Sequence, residues 1–96
     1  MTSLKLPDPF YMTLVDFGSN LGVGFAGDPG DLDGACDAYA EHRAEGRPAV
    51  VYLLEPQEDG KLRVIWDATH GVKEHLAERY ISRFREMPDW LEEDLA

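Results

Sequence analysis

The sequence predicts one α+β domain, an antiparallel sheet of two hairpins with two helices packed on one face, in the order ββαββα. Two observations carry this. Strand-prone segments come in pairs joined by turn residues, residues 10–17 with 21–26 and residues 49–54 with 62–67. Each pair is followed by a stretch whose apolar residues recur at helical spacing.

Residues 10–17 are rich in Phe, Tyr, Thr, Leu and Val, and Gly18-Ser19-Asn20 supplies a turn directly after them. In the second strand Leu21, Val23 and Phe25 alternate with Gly22, Gly24 and Ala26. Strict alternation puts the large side chains on one face and leaves the other nearly bare, open to a helix, a partner or solvent. Asp28 is read as the N-cap of the first helix, Pro29 as its first residue and Asp31 as N3. Leu32, Ala35, Cys36, Tyr39 and Ala40 then form the apolar stripe, and Gly46 with Pro48 ends the helix, giving residues 29–45.

Residues 49–54 (AVVYLL) are too apolar for a half-exposed strand and read as central, with 62–67 nearer an edge. In that partner strand alternation puts Leu62, Val64 and Trp66 on one face. Thr69 is read as the cap of the second helix, whose stripe is Val72, Leu76, Ala77, Tyr80, Ile81, Phe84 and Met87 before Pro88. The domain is taken as residues 1–88 and the last eight, DWLEEDLA, as an acidic tail with Trp90, Leu91 and Leu95 in need of a surface.

Two Trp, four Tyr and four Phe within a 44% hydrophobic composition exclude intrinsic disorder. No apolar run approaches the ~20 residues that cross a bilayer, and residues 1–9 lack the layout of a secretory signal, so a cytoplasmic location is expected. The lone Cys36 falls on the apolar side of the first helix and reads as inert filler. The net charge of −10 argues against binding nucleic acid or anionic lipid directly and favours basic partners. Of that charge, residues 31–45 carry −4 and residues 89–96 another −4.

Three candidate chemistries are weak. Residues 22–27 match G-x-G-x-x-G, but Gly18-Ser19-Asn20 precedes them, Asp28 and Asp31 would repel phosphate, and the chain is too short for a doubly wound sheet. Asp67, His70 and Glu74 share metal-ligand spacing, yet they sit at a helix start where such residues cap. Ser19 is the one hydroxyl in Gly-flanked surroundings, and turns use Ser for their own reasons. No cofactor, metal or catalytic residue is therefore assigned, and a small metal-dependent enzyme stands as an alternative.

Asp33, Asp37, Glu41 and Glu45 recur every fourth residue along the first helix. Like charges at i,i+4 destabilise a helix by roughly 0.2–0.5 kcal/mol per pair, a cost the fold does not require. Lys73, Arg79, Arg83 and Arg85 on the second helix are placed to offset some of it. The favoured reading is a nonenzymatic module that blocks or masks a basic protein or nucleoprotein complex, with Trp90, Glu92, Glu93 and Asp94 as a second contact. Phage or plasmid anti-defence inhibitors of the anti-CRISPR kind and toxin-immunity proteins work in this way. The other reading is an assembly domain that self-associates through its sheet, for which a homodimer is expected.

Overall fold

The computed structural model describes residues 8–28 and 30–96. Strands β1 (Phe10–Asp16), β2 (Leu21–Gly27), β3 (Ala49–Pro56) and β4 (Leu62–Asp67) form one antiparallel sheet of order β2-β1-β3-β4. Helices α1 (Leu32–Ala44) and α2 (Thr69–Phe84) cover one face, and a third helix, α3 (Asp89–Leu95), follows. The order ββαββα is thus as the sequence indicates, β3 is central and β4 is an edge.

The core lies between the sheet and the helices. Tyr11 and Val51 from the sheet meet Ala35, Cys36 and Tyr39 of α1, Val72 and Leu76 of α2, and Leu91 of α3. Leu91 is fully buried, and Trp90 and Leu95 pack against the same cluster, so α3 is docked on the core through these three side chains. Burial also raises the Cys36 thiol to about pH 11, an effect that outweighs the opposing pull of Arg79, and the thiol is inert at neutral pH.

Thr13 donates from Oγ1 to the Ala35 carbonyl at 3.1 Å, which ties β1 to α1 across their buried contact. Small residues on both sides allow that approach. Gly24 faces α1, where an added Cβ would lie 2.9 Å from Val15 Cγ2 and 3.2 Å from the His42 ring.

Four local expectations are corrected. Helix α1 begins at Leu32, with Asp31 as its N-cap accepting the Gly34 N–H at 3.1 Å, while the Asp28 carbonyl accepts the Asp31 N–H in a preceding turn. Pro29 lies outside the described residues. In β2 the register shifts by one opposite Thr13 and Leu14, so Phe25 turns inward while Leu21 and Val23 face away from the helices. A second irregularity, opposite Leu53 and Leu54, puts Trp66 on the helix side and Val64 on the other, so they share no face. On α2, Ile81 and Phe84 are 54% and 64% exposed because the last turn runs past the sheet, ending at Arg85 with φ 64°.

Thr69 does not cap α2. Its hydroxyl accepts the Val51 N–H at 2.9 Å and donates to the Val51 carbonyl at 3.3 Å, taking the place in the ladder that β4 vacates after Asp67. Asp67 instead accepts the Thr69 N–H at 3.0 Å, and hydrogen bonds from Thr69 hold its carboxyl below the usual range. Thr69→Val strands a buried backbone donor and is expected to lower stability by about 2 kcal/mol in urea titration, with Thr69→Ser close to wild type. Equal losses in both variants would show that the hydroxyl bond is not the cause.

Candidate interaction surfaces

The acidic row on α1 is largely tied down. Arg79 of α2 reaches Asp37 at 2.6 Å and Asp33 at 3.6 Å, and His75 Nε2 lies 3.5 Å from Asp33. The bond to Asp37 holds the guanidinium more firmly charged. Arg47 pairs with Glu45. Three of the four carboxylates therefore have a cation at hand, and the repulsion along the helix is relieved by a cross-link between α1 and α2. Glu41 has no ion pair among the described residues. Arg79 stands one residue from the apolar stripe of α2, which is the sequence signal for a side chain able to lean across to a neighbouring helix.

The carboxyl-terminal group divides in a similar way. Asp94 receives Nε and Nη2 of Arg43, both at 2.9 Å, and the Tyr39 hydroxyl at 2.7 Å, while Lys73 Nζ donates to its carbonyl at 3.2 Å. The Arg43 bonds hold the Asp94 carboxyl below its usual range despite burial, and burial with the Asp94 bond raises the Tyr39 phenol. Asp94 is thus the clamp of α3. Trp90 stacks at an angle on Tyr39 (6.2 Å) and edge-on to Tyr80 (6.3 Å), and it is only partly exposed. Glu92 and Glu93 are exposed and, among the described residues, unpaired.

The metal-spaced residues do not converge. His70 pairs with Glu74 at 2.7 Å on the surface, while Asp67 turns to the Thr69 backbone. Among the described residues there is no group of three or more His, Cys, Asp or Glu that could hold an ion. Gly22 lies next to the Phe17 ring, and Gly24 lies under His42 of α1. Among the described residues, no helix is long and apolar enough to cross a membrane.

A different surface stands out. The sheet face turned away from the helices carries Met12, Leu14, Leu21, Val23, Val50 and Tyr52, placed there by the strand pairing. Leu21 is 72% and Val23 56% exposed, and a shallow groove of about 290 Å³ runs between Leu14, Asp16, Leu21, Pro48, Val50 and Tyr52. No described element covers it. No family model, curated protein or solved structure matches the chain.

The uncovered face is therefore read from its own chemistry. It is mainly apolar and carries two carboxylates. Asp16, the last residue of β1, accepts the Gly18 N–H at 2.8 Å, and Asp67, the last residue of β4 at the same end of the sheet, is engaged by Thr69. Sequence reasoning missed Leu21 and Val23 as surface groups because it continued the alternation through Phe25 without the extra residue at Gly24. The signal that did point here is the run of residues 49–54, apolar on both faces and so in need of cover on both sides.

Proposed function

We propose that this chain is a nonenzymatic protein-interaction module whose binding surface is the uncovered face of the sheet. The observation that carries the reading is the pair Leu21 and Val23, large apolar side chains held out to solvent on a strand whose neighbours on that face are also apolar. Soluble monomers rarely present contiguous apolar patches of several hundred Å², and those that do commonly use them for association. The acidic helices then keep the molecule soluble and repel nonspecific contacts elsewhere on its surface.

The reading separates binding from stability. Leu21→Thr with Val23→Thr keeps strand propensity while removing the exposed apolar groups. At a protein concentration of about 1 µM or below, the double variant is expected to melt within about 2 °C of wild type, because surface positions that touch nothing change stability little. A drop of about 10 °C would mean that these side chains belong to the folded core, and the reading would fail.

Capture of a basic partner is the second reading, and Glu41, Glu92 and Glu93 are the groups that favour it, being exposed and unpaired among the described residues. The occupied state of Asp33, Asp37 and Asp94 weakens it. Its signature is affinity that falls as salt rises, and Glu41→Lys with Glu93→Lys is expected to abolish binding to a basic polypeptide such as poly-lysine. Unchanged binding by that variant would dismiss it.

A further inference from the structure

Resting on the sheet-face reading, we infer that the occupant of this face is a second copy of the same chain, stacked sheet to sheet about a two-fold axis. Among the described residues the single chain has one layer of helices and one layer of sheet, and β3 is apolar on both of its faces. A second copy would supply the missing layer and bury both faces in a helix–sheet–sheet–helix sandwich.

Shape supports a copy over an unrelated partner. Two sheets of the same twist pack face to face at about −30° with a spacing of ~10 Å, and identical chains match each other's twist automatically. A two-fold contact is self-complementary, so one apolar patch serves both sides.

Charge points the same way. On a chain of net charge −10, the described residues of this face carry only Asp16 and Asp67 as charged groups, both of which already accept backbone hydrogen bonds. A basic partner gains nothing there and would be drawn to the acidic helices instead. Two acidic copies repel each other everywhere except across such a neutral plane.

The area is sufficient for a modest dimer. Four strands at ~4.8 Å spacing and seven residues at ~3.3 Å rise give a face of roughly 19 × 23 Å, or about 900 Å² in projection for two copies. Accessible area exceeds projection where side chains protrude, which places the contact near the ~1,200 Å² floor of stable interfaces. A dissociation constant on the order of 10 µM is expected rather than a permanent dimer.

Sedimentation equilibrium of the full chain from about 1 µM to about 200 µM, at ~0.05 M and ~0.5 M NaCl, tests the inference. The mass should move from 10.8 kDa toward twice that value, and self-association should tighten several-fold at the higher salt as the like charges are screened. Leu21→Thr with Val23→Thr should weaken it at least about tenfold, and Ala26→Glu, an exposed position on the same face, should do so without touching the core. Phe84→Ser, on the exposed end of α2, should leave it unchanged. A monomer at every concentration and salt would overturn the second copy while leaving the sheet-face reading to its melting test. A dimer lost through Phe84→Ser but kept in both face variants would place the interface elsewhere and overturn it equally.

Discussion

Leu76→Ala is expected to lower the unfolding free energy by about 3–4 kcal/mol, measured as a shift in urea midpoint at constant slope. Leu76 is fully buried on α2, in the cluster where that helix meets β3, α1 and α3. Cutting its isobutyl group back to a methyl forfeits the transfer free energy of the lost carbons and leaves a cavity that Tyr39, Val51 and Val72, themselves almost fully buried, have little freedom to fill. A domain of this length has on the order of 5–10 kcal/mol in total, so the variant would lie near the edge of folding. Phe84→Ala, two turns further along the same helix, is the control. Its ring is 64% exposed, and the loss should stay below about 1 kcal/mol. Comparable losses from the two would show that the burial gradient along α2 is wrong.

Asp94→Ala is expected to cost about 3 kcal/mol at pH 7. The carboxylate is 15% exposed and accepts from Arg43, 16% exposed, and from Tyr39, so its removal leaves a largely buried guanidinium and a phenol without their acceptor. The pH dependence has a definite sign. Because Arg43 holds the folded-state carboxyl below its unfolded value, the stabilisation is fully present above about pH 4, the ordinary range of an aspartate, and is lost as pH falls through the depressed folded value. The difference between wild type and Asp94→Asn should accordingly shrink as pH is lowered from about 5 toward 2. A constant difference across that range would mean that the charge of Asp94 is irrelevant to the clamp. Loss of the clamp should also expose Leu91, which hydrogen exchange in α3 would register as faster opening than in α1.

Much of the architecture was legible because pattern and turn chemistry agreed. Gly18-Ser19-Asn20 and the loop around Gly60 fixed two hairpins, the apolar residues 49–54 identified the central strand, and the stripe of Ala35, Cys36 and Tyr39 identified the buried side of α1. What was hidden depends on one-residue shifts and on long side chains. Both ladder irregularities reverse the facing of residues beyond them, and nothing in the composition of residues 21–27 or 62–67 announces where the extra residue falls. Arg79 and Arg43 reach across from one element to another, and helical spacing gives each side chain a direction without a destination. The acidic row was visible as spacing, but its neutralisation was a tertiary fact. The burial of Leu91 likewise required knowing that α3 folds back to the space beside Tyr39.

The extra backbone unit at Gly24 has a consequence of its own. If β2 instead paired one residue to one straight through Gly24, Leu21 and Val23 would share the facing of Phe25 and turn toward α1, into a gap that already leaves no room for a methyl group beside Val15. A strand of the same length without the bulge would have to choose between jamming the helix outward and turning Phe25 into water. A single glycine thus acts as the gear that lets one ribbon keep a plug inside and still offer grease to the outside.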